Sequence, residues 1–369
     1  MNLIKMTREA LLKPLQAVSG IIERRHTLPI LSNVLLARNG NEIEVVATDI
    51  EIEITASAST EAPGESKTAT VGARKLLDIL RALPEGSEVT LALQDKRLQV
   101  KSAKSRFNLQ TLPAEDFPRL SREEGAATQF SVPQKLLKGL LELVQYAMAM
   151  QDIRYYLNGL LMVVEDGQLK LVATDGHRLA FASQDVGAKD VAKQEVILPR
   201  KTIIELSRLL EESDEPVTVA LSANQVRFSF GQVVLISKLV EGKFPDYTRV
   251  IPQSQPKHLR LNRVQLLSAL QRAAILTSDK FRGVRWILSD GSLKILCSNT
   301  EQEEAQEELD IAYKGESLDI GFNVSYLLDV LNNLDCEEIE CALGDAASSA
   351  LFTVPERLNF KYVVMPMRI

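Results

Sequence analysis

A long internal repeat constrains this chain more than any other feature. Three segments share one pattern: TREALLKPLQAVSG (7–20), VPQKLLKGLLELVQ (132–145) and NRVQLLSALQRAAI (262–275). Their leucine pairs, Leu11-Leu12, Leu136-Leu137 and Leu266-Leu267, lie 125 and 130 residues apart. Leu15, Leu140 and Leu270 follow at helical spacing and give each segment one apolar stripe. Pro14, Gly139 and Ala269 hold matching positions. A proline there would kink or delay an ordinary helix, so the position reads as either a shared bend or a close contact.

The rest of each unit agrees. NVLLARNGNEIEVVATDIEIEITA, NGLLMVVEDGQLKLVATDGHRLAFA and GVRWILSDGSLKILCSNTEQEEAQEEL alternate in polarity. Each is broken by a glycine-bearing pair (Asn39-Gly40, Asp166-Gly167, Asp290-Gly291), which signals a hairpin. V-A-T-D occurs at Val46–Asp49 and again at Val172–Asp175, 126 residues on, and becomes Cys297-Ser298-Asn299-Thr300 in the third unit. Second helices follow at ARKLLDILRAL, PRKTIIELSRLL and VSYLLDVLNNL, and further strands end near Phe117-Pro118, Phe244-Pro245 and Met365-Pro366. The expected fold is α+β, with three repeated domains of antiparallel sheet plus two helices each: 1–125, 126–255 and 256–369. The joins fall in REEGAAT (122–128) and PQSQPK (252–257), which are polar and carry Gly or Pro as linkers do.

Composition excludes several classes. The chain has 369 residues, 45% hydrophobic and 25% charged, as a soluble globular protein does. Lys5, Arg8, Glu9 and Lys13 punctuate the N-terminal stretch, so no signal peptide is expected, and no run approaches the ~18 apolar residues of a membrane span. Cys297, Cys336 and Cys341 are odd in number and form no C-x-x-C, which favours reduced thiols in the cytoplasm.

Catalytic signals are sparse. Asp175-Gly176-His177 places a carboxylate near an imidazole, which makes a hydrolase the alternative reading. No nucleophile motif accompanies the pair, and Asp49 in the first copy has no histidine beside it. The three histidines (His26, His177, His258) form no zinc motif, and no phosphate-binding glycine loop opens a helix. The acidic run EQEEAQEELD (301–310) lacks the spacing of a calcium loop and reads as a solvated edge or a partner for basic residues. Neither a cofactor nor a metal is expected.

The net charge is −6, yet the six expected helices (8–19, 74–83, 135–146, 200–210, 263–274 and 324–331) hold 12 Lys/Arg against 5 Asp/Glu. Basic helices on an acidic chain imply that helices and strands face different surroundings. A shared helical face would track phosphates with little base specificity, while the acidic remainder repels DNA elsewhere. Helices on one side and sheets on the other make an arc, whose strand edges must be capped or paired. Two copies joined head to tail would close a ring. Phe107, Leu109, Ile275 and Leu276 are expected to pack across that joint. Lys75, Arg97, Lys104 and Arg106 would face Glu301, Glu303, Glu304 and Glu307.

The segments RRHTLPILSNVLL, QDIRYYLNGLL, ATDGHRLA, KFPDYTRVIP, FRGVRW, IGFNVSYLLDVL and YVVMPMRI are similar to those of the bacterial DNA polymerase III β subunit, the β sliding clamp, over essentially the whole chain. The resemblance implies a head-to-tail dimeric ring with helices inside and sheets outside, and no enzymatic activity. It implies a ring that encircles duplex DNA without sequence preference and tethers the polymerase. Implied DNA contacts are Arg25, Arg74, Gln151, Tyr155 and Tyr156, to which the basic helix starts add Lys75, Arg200 and Lys201. His26 and Met150 are positions where family members vary. The resemblance also implies a hydrophobic pocket for short peptides from DNA polymerase III and other polymerases, the clamp loader, and mismatch-repair and ligase-type proteins. Its expected wall is Leu157, Thr174, Gly176, His177, Arg178, Leu179, Pro245, Arg249 and Val250. Asn323, Tyr326, Val363, Val364, Met365, Pro366, Met367 and Arg368 complete it.

Overall fold

The computed structural model describes residues 2–23, 28–121, 128–188, 191–278, 282–355 and 357–369. Its α-helices are α1 (Arg8–Val18), α2 (Ala73–Ala82), α3 (Gln134–Val144), α4 (Arg200–Leu209), α5 (Arg263–Ala273) and α6 (Val324–Asn332), each within two residues of the apolar stripe that predicts it. The first helix of every repeat has 11 residues and runs into a three-residue 3-10 turn: Ser19–Ile21, Gln145–Ala147 and Ala274–Leu276. Thr7, Asn262 and Asn323 begin their helices by accepting main-chain N–H bonds on their side chains. Pro14 is buried inside an unbroken α1, and a Cβ added to Gly139 would meet open space. The matched position is therefore neither an interruption of the helix nor, in the second repeat, a close contact.

The chain divides into two compact units, Met1–Leu136 with Ile204–Leu239, and Leu137–Ile203 with Val240–Ile369. In the first unit, Asn2–Thr7, Glu88–Gln94, Arg97–Ser102 and Ser105–Gln110 form a four-stranded sheet in that order. Beside it is a six-stranded sheet ordered Asn33–Thr48, Ile52–Gly72, Val233–Lys238, Gln225–Phe230, Pro216–Leu221 and Thr128–Pro133. In the second unit, an eight-stranded sheet runs Gln194–Pro199, Gly159–Glu165, Gly167–Thr174, Arg178–Ala188, Arg357–Val364, Ala350–Val354, Glu338–Leu343 and Lys257–Asn262. The other sheet there is Glu304–Asp310, Ser292–Ser298, Gly283–Ser289 and Leu318–Asn323. All pairings are antiparallel.

Two of these sheets are shared between repeats. Val233–Ser237 pairs with Ala56–Ile52, and Arg178–Ala182 pairs with Val364–Phe360. Strand edges of successive repeats thus cover each other, and the second repeat contributes strands to both units. Ser105–Gln110 and Glu304–Asp310 keep one neighbouring strand each among the described residues. The expected hairpins form at Asp166-Gly167 and at Gly291. In the first repeat the corresponding Gly40 (φ +59°) marks a shift of register between two long strands.

The helix pairs of the first and third repeats are fastened by the same device. Arg8, the first residue of α1, donates to Leu80 O (2.7 Å) and Arg81 O (3.2 Å) at the end of α2. Arg263, the first residue of α5, donates to Leu331 O (3.0 Å) in the last turn of α6 and to Cys336 O (2.8 Å) beyond it. A cation at a helix C-terminus satisfies carbonyls that have no partner within the helix. No helix among the described residues is long and apolar enough to cross a membrane.

Candidate binding pocket

The repeated Thr-Asp closes the same turn twice. In the first copy Thr48 Oγ1 donates to Ile52 O, and Asp49 Oδ1 accepts from Glu51 N and Ile52 N. In the second, Thr174 Oγ1 donates to Arg178 O (2.6 Å), and Asp175 Oδ1 accepts from His177 N (2.9 Å) and Arg178 N (3.1 Å). The third copy keeps the logic with Asn299, whose Oδ1 accepts from Glu301 N and Glu303 N. A carboxylate near the imidazole suggests a catalytic dyad, but Asp175 spends one oxygen on the turn and the other on Arg178 Nε (3.1 Å). The His177 ring instead lies against Tyr326, at 6.5 Å between centroids and 23° between planes. The hydrolase reading therefore fails on geometry.

The second turn opens onto a cavity of about 480 Å³. Leu157, Thr174, Leu179, Phe244 and Val363 are buried in its walls, and exposed Met365 forms part of the lip. Of the expected wall, Gly176, His177, Arg178, Pro245, Arg249 and Val250 also line it. Asn323, Tyr326, Val364, Pro366, Met367 and Arg368 do not. Val364 is fully buried, and Asn323 caps α6. Tyr326 supports His177 from behind, and its own carbonyl accepts from the Tyr362 hydroxyl (2.9 Å). The tail is pinned as Met365 N donates to His177 O and Met367 N to Gly321 O (2.8 Å). A Cβ at Gly321 would stand 2.4 Å from Met367 O, so only glycine lets the tail lie so close.

Arg178 organises the back of the site. Its guanidinium bonds Asp175, Asp329 and Tyr146 O, and lies 4.5 Å from the Tyr326 ring centre and 5.8 Å from that of Tyr146. Burial raises the phenols of Tyr146, Tyr326 and Tyr362 above their ordinary values, so they stay neutral. Arg154 and Arg249 stand at the rim, each paired with a carboxylate behind it, Asp152 and Asp246, and among the described residues no carboxylate lines the cavity itself. The hydrogen bonds that Arg154 makes through its side chain and main-chain N–H hold the Asp152 carboxyl down at about 2, and the ion pair seats the guanidinium over Gly176. An apolar hollow with guanidinium donors at its rim suits an apolar ligand carrying a hydrogen-bond acceptor.

Tyr156, expected among the DNA contacts, lines this cavity, and Tyr155 meets it edge-on at 5.9 Å. The expected wall left out Arg154, Phe244 and Tyr247, all inside QDIRYY and KFPDYTRV, and Ser349, which carries no local signal. Tyr247 stacks on Phe181 at 5.8 Å.

The other expected site residues lie elsewhere. Arg74 and Lys75 are exposed on the first turn of α2. Gln151 (φ +54°) and Tyr155 are exposed in the segment before the cavity. Arg200 and Lys201 are half-buried at the start of α4, where Arg200 donates to Met148 O. Arg25 and His26 lie outside the described residues. Arg106 and Phe107 are exposed on the edge strand of the first four-stranded sheet, with Lys104 exposed in the turn before it and Arg97 on the neighbouring strand. Leu109 and Lys75 line a second cavity of about 340 Å³. Ile275, Leu276, Glu301 and Glu303 line a third of about 260 Å³, and Glu304 is exposed nearby. Glu307, expected to face a partner's cation, is taken by Arg272 of the same chain.

Family models for the DNA polymerase III beta subunit match residues 1–121 (N-terminal domain), 131–246 (central domain) and 248–368 (C-terminal domain). The chain belongs to the DNA polymerase III beta-subunit family. It is 48% identical to the beta sliding clamp of Escherichia coli K12 over 362 residues, 98% of each chain. The crystal structure of the beta subunit from Pseudomonas aeruginosa superimposes with a TM-score of 0.96 at 47% identity, covering 100% of both chains. A Pseudomonas aeruginosa clamp bound to griselimycin gives a TM-score of 0.94 at 47% identity, over 99% of both. Sliding clamps are processivity factors and not catalysts. This chain's function is that of a DNA sliding clamp, and its Asp175-Gly176-His177 is clamp architecture.

Proposed function

We propose that two copies of this chain close head to tail into a ring around duplex DNA, each copy built of three domains at 1–125, 126–255 and 256–369. The sheet-edge strands Ser105–Gln110 and Glu304–Asp310, each with one neighbour among the described residues, support this, because edge-to-edge pairing already joins repeats inside the chain. Basic Arg97, Lys104 and Arg106 near the first edge complement Glu301, Glu303 and Glu304 near the second. Arg25, Arg74, Lys75, Gln151, Tyr155, Arg200 and Lys201 supply weak contacts blind to sequence, which let an enclosed duplex slide. Tyr156 supports that surface from the cavity side. Reduced cysteines and bacterial relatives support a cytoplasmic location.

The cavity around His177 takes short apolar peptides of DNA polymerase III, other polymerases, the clamp loader, and mismatch-repair and ligase-type proteins. Asn323, Tyr326, Val364, Pro366, Met367 and Arg368 back its wall and anchor its lip. The observation that carries this reading is an apolar hollow with guanidinium donors at its rim in a family whose Pseudomonas aeruginosa member binds griselimycin.

Three measurements test the proposal. Protein loaded on a nicked circular plasmid should stay bound through gel filtration and be lost once the circle is linearised; equal loss from both would overturn enclosure. Griselimycin should bind the native chain and compete with a polymerase-derived peptide; independent binding of the two would separate the peptide site from this cavity. Ile275→Ala with Leu276→Ala should shift sedimentation toward monomer, and an undiminished dimer would move the interface elsewhere.

A further inference from the structure

The two joins between repeats inside the chain share a polar lock. At the first, Arg208 of α4 donates to Glu205 through Nε (2.9 Å) and Nη2 (2.7 Å), and Nη2 also reaches Ala17 O (2.7 Å) at the end of α1. Glu205 is buried, and a Cβ on Gly20 would stand only 2.1 Å from its Oε2, so the contact is close. At the second, Asp329 of α6 binds Arg178, which donates to Tyr146 O (2.7 Å) just past the end of α3. In both, a carboxylate on the second helix of one repeat holds an arginine against a carbonyl ending the first helix of the repeat before it. Counted from the helix start, Glu205 and Asp329 occupy the same position, the sixth residue.

The sixth residue of α2 is Asp78, and Arg81 stands three further on, as Arg208 does from Glu205. Both are exposed, and among the described residues neither side chain has a hydrogen-bond or ion-pair partner. Among the described residues no helix of another repeat supplies Arg81 with a carbonyl. At the end of α5, Ile275 in the 3-10 turn is 76% exposed. The segment has the same lengths as its two counterparts.

We infer that Asp78 and Arg81 form a third copy of this lock between chains, with Arg81 donating to a main-chain carbonyl within 272–275 of a second copy. The occupant is this chain itself: the internal locks provide the template. The negative end of α5 attracts a cation, and α2 borders the cavity containing Leu109 while Ile275 borders the other. The inference rests on the head-to-tail dimer proposed above and adds two residues that sequence reasoning left out of the interface.

Sedimentation equilibrium of the full chain tests it. Losing a charge-assisted bond of this kind is expected to raise the dimer dissociation constant roughly tenfold in Arg81→Ala. Asp78→Ala should move in the same direction by less, and Arg81→Lys, which keeps the charge without the fork, should fall between native and Arg81→Ala. Monomer melting temperatures should match the native one, since both side chains are solvent-facing within one chain. A native chain that never dimerises overturns the dimer and this lock together. A dimer weakened by the Ile275/Leu276 double substitution but indifferent to Asp78→Ala and Arg81→Ala leaves the dimer standing and overturns the lock alone.

Discussion

Thr48–Ile52 and Thr174–Arg178 are the same turn, with the same side chains accepting and donating the same bonds. They differ in three residues: Ile50, Glu51 and Ile52 against Gly176, His177 and Arg178. Ile52 is buried as an ordinary strand residue, whereas Arg178 holds two carboxylates and a helix-ending carbonyl. Glu51 pairs with Lys238 at the surface, whereas His177 stands at the cavity against Tyr326. The turn is scaffold, and function entered through the residues it presents.

The comparison breaks most severely at Arg178. Its side chain is only 9% exposed and faces Asp175 and Asp329. Arg178→Ala leaves Asp175 without its buried cation, and should destabilise the protein by about 3 kcal/mol. Urea denaturation measures this; a loss under about 1 kcal/mol would mean that water replaces the guanidinium and that Arg178 is an ordinary rim residue. Next comes His177→Ala, which leaves the turn's bonds intact because they use main-chain N–H groups. Folding should be unchanged, while griselimycin affinity, read by calorimetry, should fall about tenfold, or about 1.4 kcal/mol. Equal affinity would remove His177 from the site.

Much of this was legible in the sequence because it is local. Apolar stripes at helical spacing set α1 to α6, and Asp166-Gly167 set a hairpin, since both signals lie within a few residues. The cavity's walls were legible through ATDGHRLA, KFPDYTRV and the tail. Pairings between distant strands were not, because an edge strand's own pattern does not say which edge it meets. Nor was the lock at Arg178: its partners Tyr146 and Asp329 lie 32 and 151 residues away. Glu307 looked free in an acidic run, yet Arg272 on the adjacent helix claims it. Ser349 reaches the cavity from a loop whose sequence marks no ligand site.

Position 176 gives a smaller test. Gly176 has φ +89°, and a Cβ there would stand 3.0 Å from the Arg154 guanidinium. Gly176→Ala should cost about 1 kcal/mol through the backbone, and the flexible end of Arg154 should give way. Griselimycin binding then separates two effects: if Arg154's seat matters to the rim, affinity falls by more than stability explains.

Position 50 is the matching site in the first copy, and there the expected effect is smallest. Ile50 adopts φ +72°, a left-handed conformation that costs a β-branched residue about 1–2 kcal/mol. The residue is 40% exposed, so its buried apolar part returns about 1–2 kcal/mol of stabilisation. The two terms nearly cancel, which is how the first turn keeps an isoleucine where the second needs glycine. Asparagine tolerates the left-handed region but gives up the apolar contact, so Ile50→Asn should sit within about 0.5 kcal/mol of the native protein. Alanine gives up the contact and keeps most of the strain, so Ile50→Ala should be less stable than Ile50→Asn by about 1 kcal/mol. Melting curves of the pair decide the matter: equal stabilities would mean that the first turn carries no such strain, and that the glycine at 176 serves Arg154 and the cavity rather than the turn.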